Sequence, residues 1–77
     1  MNINILNTED LLKCGVYKIT NKTTNRCYIG STIMTFIKRI NHHINRLNCD
    51  KHKNNYLQNA WNKYGENNFI VEIVEIT

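Results

Sequence analysis

The hydrophobic pattern of this 77-residue chain changes its period twice, and this limits the folds that the chain can adopt. Residues 15–20 alternate small or apolar with polar side chains and are rich in β-formers, and residues 26–30 follow five residues later, which predicts two strands. The five residues between them are polar and include two asparagines, which suits a hairpin loop. These segments predict a β-hairpin.

The period changes after residue 34, where apolar residues begin to recur at spacings of four and three. This spacing is typical of an amphipathic helix, and Thr32 or Thr35 is placed to cap its start. At about 100° per residue, one flank of the helix is cationic. The apolar stripe consists of Phe36, Ile40, Ile44 and Leu47, and the cationic flank of Arg39, His43 and Arg46.

A second helix and a third strand are predicted in the remaining part of the chain. The helix has apolar residues at Leu57, Ala60, Trp61 and Tyr64, and Gly65 follows as a residue suited to a helix end. Residues 69–76 are β-branched and nearly all apolar, which predicts a central strand. We expect a single α+β domain over residues 1–77, with 1–12 weakly patterned and a three-stranded antiparallel sheet carrying two helices, in the order β-β-α-α-β.

The charge of the chain is concentrated in its middle. The net charge is +4, and residues 13–65 contain all ten basic residues and only one acid, Asp50. Such a region is typical of a surface that binds a polyanion, most often nucleic acid. A merely solvated basic surface explains the charge equally well, so charge alone leaves both interpretations open.

Several classes of protein lose support from what the sequence lacks. No apolar run approaches the roughly 18 residues of a membrane span, and the start does not have the pattern of a signal peptide, so we expect a soluble intracellular protein, cytoplasmic or nuclear, with no membrane partner. No nucleotide-binding, dinucleotide-binding or hydrolase motif occurs, so we expect no small-molecule cofactor. The three cysteines, Cys14, Cys27 and Cys49, form neither a disulfide framework nor a zinc motif.

Five short strings stand in a fixed order along the predicted elements. They are Gly15-Val-Tyr17, Tyr28-Ile-Gly30-Ser31, Lys38-Arg39, His43 and His52. Each string alone is weak, but in this order and spacing they resemble the GIY-YIG nuclease family over about residues 14–76. The resemblance is greatest to the catalytic domains of phage and viral homing endonucleases.

The resemblance implies a metal-dependent endonuclease that hydrolyses DNA phosphodiesters. Tyr17 would be the general base or would position the attacking water, and Tyr28 would support the nucleophile and the phosphate. Arg39 would stabilise the charge of the transition state, and His43 would assist proton transfer or contact phosphate. We further expect phosphate contacts from Ser31, Lys38, Arg46 and His52, and structural roles for Gly15 and Gly30.

The resemblance also implies a divalent metal, Mg²⁺ or Mn²⁺. The family holds it through a glutamate on a helix after the third strand, and Glu66, Glu72 and Glu75 do not match that position. We therefore expect the chain to be truncated after the third strand and to lack the family's metal ligand, which leaves open whether it is active or inactive by itself. We also expect a sheet face left open to solvent or to a second copy of the chain.

Two alternatives to a nuclease remain open. The first is a basic DNA-binding module, derived from a nuclease, that keeps the phosphate-facing residues but does not cut. The second is a small interaction domain whose tyrosines are structural.

Overall fold

The computed structural model describes residues 1–4 and 7–77 of the chain. Within these ranges the chain forms a sheet and two helices, with short 3-10 turns at Thr8–Leu12 and Glu66–Asn68. The strands are β1 (Asn2–Asn4), β2 (Gly15–Asn21), β3 (Cys27–Thr32) and β4 (Phe69–Ile76); the helices are α1 (Phe36–Asn48) and α2 (Asn55–Tyr64). The α+β class and the two predicted helices are confirmed.

The sheet differs from the prediction by one strand. The described residues form a four-stranded mixed sheet in the order β1-β4-β2-β3, and β1 runs parallel to β4. β2 pairs antiparallel with both β3 and β4, as expected for the hairpin and the last strand. The prediction of three antiparallel strands was wrong because it left out β1, which pairs with the free edge of β4 and thereby makes β4 an inner strand.

Both helices begin and end at residues whose chemistry suits these positions. The Thr35 side chain accepts a hydrogen bond from the Lys38 backbone N–H, and that of Asn54 accepts one from Leu57. Gly65 ends α2 with φ +84°, a conformation that favours glycine. Neither helix of residues 1–4 and 7–77 has the length and apolar character needed to cross a bilayer.

The core lies between the two helices and one face of the sheet. β2 contributes alternate residues from Gly15 to Asn21 to this face, and the opposite face of the strand is only partly buried. The buried apolar residues are Tyr17, Ile19, Phe36, Ile40, Leu47, Leu57, Trp61, Phe69 and Val71. Tyr17 belongs to this core, and its hydroxyl lies at the core's border with α1.

Candidate active site

Tyr17 and Gly30 are cross-strand neighbours in the β2–β3 hairpin. The Tyr17 ring lies across Gly30, where a Cβ atom would come 2.5 Å from the ring's Cζ atom. Any larger residue at position 30 would therefore displace the tyrosine. Gly15 is needed for a different reason: it has φ +149°, and a Cβ there would lie 3.0 Å from the Glu75 carbonyl carbon of β4.

α1 presents two polar side chains to the Tyr17 hydroxyl. Arg39 and His43 are one helical turn apart, so they project from the same flank. His43 Nε2 lies 2.5 Å from the hydroxyl oxygen, and Arg39 Nε donates to the same oxygen at 3.3 Å. Tyr17 is fully buried and His43 only 1% exposed, whereas Arg39 is partly exposed. The three residues form a polar cluster at the edge of the core.

His52 extends this cluster from the linker between the helices. Its Nε2 atom lies 2.7 Å from His43 Nδ1, and the two rings are stacked with centroids 4.9 Å apart. The backbone N–H of Asn54 donates to His52 Nδ1 at 3.0 Å. Tyr17, His43 and His52 are thus joined in one hydrogen-bonded row that ends at a backbone amide.

Gln58 of α2 holds the linker in place. Its buried side chain accepts a hydrogen bond from the His52 backbone N–H and donates to the Leu47 carbonyl at the end of α1, each at 3.0 Å. The same amide group also donates a hydrogen bond to the Asn62 side chain of α2. Gln58 therefore joins α1, the linker and α2 behind His52.

A basic cleft of about 600 Å³ opens beside the row of hydrogen bonds. Its lining contains four residues with a positive charge at neutral pH and no carboxylate. A cleft with this charge attracts anions such as a phosphate backbone. The lining residues are Tyr28, Arg39, His42, His43, Arg46, Lys51, His52, Lys53 and Asn54.

The buried members of the row are uncharged at neutral pH. Burial raises the pKa of Tyr17, and the nearby guanidinium of Arg39 only partly offsets this. Burial, with the positive charge of Arg39, lowers the pKa of His43 to about 4. Burial also lowers the pKa of His52. The arginines and lysines therefore supply the positive charge of the cleft.

Most of the predicted catalytic and phosphate-binding residues meet at this cleft, but two do not. Ser31 lies next to Gly30 on β3, and because side chains alternate along a strand it is on the sheet face opposite the Tyr17 hydroxyl. Lys38 is exposed on α1 and does not line the cleft. The residues that come together are Tyr17, Tyr28, Arg39, His43, Arg46 and His52.

Sequence reasoning missed several residues of the cleft and its support. Lys51 and Lys53 flank His52, and this basic run in a polar linker was a signal that could have been used. His42 also lines the cleft, beside His43. The support from Asn54 had no such signal, because it comes through the backbone N–H, which every residue except proline carries.

The described residues of the cleft do not fit a resident Mg²⁺ or Mn²⁺ ion. These ions prefer oxygen ligands, above all carboxylates, and the lining has none. Both ring nitrogens of His43 and of His52 are already hydrogen-bonded within the protein. In residues 1–4 and 7–77, no group of three or more His, Cys, Asp or Glu residues is arranged to hold a metal ion.

Known proteins match both the sequence and the fold. The sequence model of the protein family described as the GIY-YIG catalytic domain matches residues 13–77. "Probable intron-encoded endonuclease 1" of Neurospora crassa is 37% identical over 82 residues, which cover 95% of this chain and 25% of the relative. This chain thus spans about a quarter of that relative's length.

Two solved structures resemble the described fold. The catalytic domain of the homing endonuclease I-TevI is 35% identical, with a TM-score of 0.76 over 82% of this chain and 66% of that one. The E75A mutant of the same catalytic domain is also 35% identical, with a TM-score of 0.79 over 84% of this chain and 65% of that one. The family predicted from the short strings is confirmed: the chain belongs to the GIY-YIG catalytic domain family.

Proposed function

We propose that this chain is the catalytic part of an endonuclease that hydrolyses DNA phosphodiesters. The observation that carries this proposal is the basic cleft next to the row formed by Tyr17, His43 and His52. The Neurospora relative and I-TevI are both named as endonucleases, which supports the same activity.

The cleft would bind the scissile phosphate through Arg39. Its guanidinium lies on the cleft wall and contacts the Tyr17 hydroxyl through Nε, so it bridges the bound anion and the buried row. A planar guanidinium offers several donors in a fixed geometry, which suits the charge that develops on phosphate oxygens. Arg46, Lys51 and Lys53 would hold neighbouring phosphates.

Tyr17 and Tyr28 would place the attacking water. Tyr28 lines the cleft and its ring lies edge-on to that of His43, with centroids 5.5 Å apart. Tyr17 is fully buried and its hydroxyl is hydrogen-bonded to Arg39, so a substrate oxygen reaches the hydroxyl only if the cleft rearranges when DNA binds. In this proposal the binding of DNA opens the way to Tyr17.

Three finer parts of the proposal do not rest on the geometry of the cleft. Dependence on Mg²⁺ or Mn²⁺ is one of them, because the described lining does not suit these ions. Phosphate contacts by Ser31 and Lys38 are the second, and DNA would have to extend beyond the cleft to reach them. The third is an intracellular location, which follows only from the proposed substrate.

A pair of arginine variants tests the proposed activity. The assay is nicking of a supercoiled plasmid, with Mg²⁺, with Mn²⁺ or with EDTA. Arg39→Ala should reduce cleavage at least about 100-fold, the scale of one lost charge-stabilising donor. Arg26→Ala, which removes an exposed arginine of the hairpin outside the cleft, is the matched control and should cut normally. Unchanged cutting by Arg39→Ala would contradict the assignment.

A second candidate function is DNA binding without cleavage. It is favoured by one observation, the lack of carboxylates in the cleft lining. This candidate predicts binding that weakens with salt and a plasmid that stays uncut in every metal. Cleavage that is lost in Arg39→Ala would exclude it.

Self-association is a further prediction that concerns the outer face of the sheet. Ile29 of β3 and Val74 of β4 are 59% and 57% exposed, and Ile29, which pairs with Lys18, points away from the helices. Lys18 and Glu72 form a cross-strand ion pair on the same face, at 3.9 Å. Sedimentation at increasing concentration would test whether two copies associate there.

A further inference from the structure

The row of hydrogen bonds behind the cleft allows only one arrangement of its protons. It ends at the backbone N–H of Asn54, which lies 3.0 Å from His52 Nδ1. A backbone N–H can only donate, so His52 Nδ1 must be an acceptor and carries no proton. This fixed donor sets the direction of every bond that follows.

The direction passes from His52 to His43. A neutral imidazole carries one proton, so that of His52 is on Nε2, which faces His43 Nδ1 at 2.7 Å. The opposite direction would leave His52 with no ring proton, as an imidazolate anion, which neutral water does not support. His43 Nδ1 is therefore an acceptor, and the proton of His43 is on Nε2, which faces the Tyr17 oxygen.

The Tyr17 oxygen consequently receives two N–H donors, one from His43 and one from Arg39. Its own hydrogen cannot go to His43, because that nitrogen already carries a proton. The hydrogen is left for a third partner on the side of the cleft, where the Tyr28 side chain is a hydrogen-bond partner of Tyr17 until an oxygen of the substrate takes its place. If Tyr17 loses its proton, the two donors remain in place and stabilise the phenolate.

We propose that His52 is a positioning residue that makes His43 a hydrogen-bond donor to Tyr17, so that Tyr17 offers its own hydrogen to an oxygen of the bound substrate. The last step rests on the proposed function. His43 would then stabilise the Tyr17 oxygen without taking its proton. The charged and titratable groups around the row belong to every element that packs on it: Tyr17 and Tyr28 of the sheet, Arg39, His42 and Arg46 of α1, and Lys51 and Lys53 of the linker.

The arrangement of protons can be measured without DNA and without cleavage. Long-range ¹H–¹⁵N correlation spectra of the histidine rings show which nitrogen carries the proton. Near neutral pH both His43 and His52 should be protonated on Nε2 alone. A proton on Nδ1 of either ring would overturn the inference, and plasmid cleavage in the same sample would leave the proposed function standing.

Two substitutions of His52 separate positioning from a merely structural role. His52→Gln keeps an N–H donor within reach of His43, whereas His52→Leu removes it. His52→Leu should let the proton of His43 move to Nδ1 and should raise the pKa of Tyr17, followed through its ring ¹³Cζ shift. Wild type and His52→Gln should agree in both measurements.

The rate of plasmid cleavage is a second measurement on the same two His52 variants. His52→Leu should cut about tenfold more slowly than the wild type, the scale of one hydrogen bond to a charged group, and His52→Gln should restore most of the rate. Thermal unfolding of both variants checks that they are folded. An equal loss of cleavage rate in the two variants, with the His43 proton still on Nε2, would contradict the positioning role.

Discussion

Tyr17 has two roles at the scale of single residues, since it is a core side chain and also the acceptor at the end of a polar row. Its ring packs edge-on against Phe36, while its oxygen contacts His43 and Arg39. A hydroxyl in this place is costly to bury without partners. The core and the candidate site are therefore built from the same residue, and substitution here affects both stability and chemistry.

The histidine row makes the stability of the fold depend on pH. His43 has a pKa of about 4 in the folded chain, below its ordinary value of 6.5, so the unfolded chain takes up the proton first as the pH falls. The contribution of neutral His43 to the free energy of unfolding is therefore complete above about pH 6.5 and is lost as the pH falls toward about 4. The pKa of His52 is lowered as well.

Urea unfolding near neutral pH and near the acid end of this window measures the effect. The wild type should lose more stability between the two conditions than His43→Gln, which carries the same carboxylates but no titrating ring at position 43. An equal loss in both proteins would show that His43 is not held neutral in the folded chain.

The residues of the candidate site could be predicted from the sequence only where a motif pointed to them. Tyr17, Arg39 and His43 were found through their order in the family strings. The bond between His43 and His52 joins residues nine apart in the sequence, and it depends on the path of a linker that has no periodic pattern. The role of Gln58 had no local signal, because its three hydrogen-bond partners belong to α1, the linker and α2.

At the scale of elements, the contact between β2 and β3 positions the candidate site. Gly30 leaves the space that the Tyr17 ring occupies, and the pairing of the strands brings the two residues together. The hairpin is thus more than a connection, because its register determines where the Tyr17 hydroxyl lies.

A glycine pair tests this role of the hairpin. Gly30→Ala should destabilise the fold by about 1–3 kcal/mol through overpacking and should also displace the Tyr17 hydroxyl, which reduces cleavage. Gly65→Ala is the matched control: it is strained at φ +84° but has no atom within 4 Å of the added Cβ. It should lose stability while the Tyr17 and His43 resonances keep their positions. Identical effects on the site would contradict the account.

Long periodic elements were predictable, and the short edge strand was not. The stripes of α1 and α2, their caps and the alternation of β2 are local signals, which the structure confirms. β1 has only three residues and pairs with β4 across almost the whole chain. No local pattern predicts such a pairing, because its stability comes from the edge that it covers.

At the scale of the whole molecule, the basic cleft and a pocket beside β1 and β4 carry charges of opposite sign. The cleft between α1 and the linker carries Arg39, Arg46, Lys51 and Lys53, whereas a shallow pocket beside β1 and β4 contains Asp10, Glu72 and Glu75. This asymmetry would orient the protein on a polyanion, with the cleft toward the phosphates.

The number of cations in the cleft predicts how DNA binding responds to salt. If all four contact phosphates, log K should fall with log salt concentration with a slope of about −3.6. Lys51→Ala should make this slope shallower by about 1. Lys22→Ala, on the hairpin away from the cleft, should leave it unchanged. Fluorescence anisotropy with a labelled duplex gives these slopes, and an equal change in both variants would show that the cleft has no special part in binding.

The most direct test of the central claim, that the basic cleft is the DNA site, is to titrate the ¹⁵N-labelled chain with a short duplex. In ¹H–¹⁵N spectra the largest shifts should occur at residues of the cleft, with Arg39, His52 and Lys53 among them. The outer face of the sheet, represented by Lys18 and Ile29, should hardly respond. Largest shifts on that outer face, or the same pattern in Arg39→Ala as in the wild type, would contradict the account.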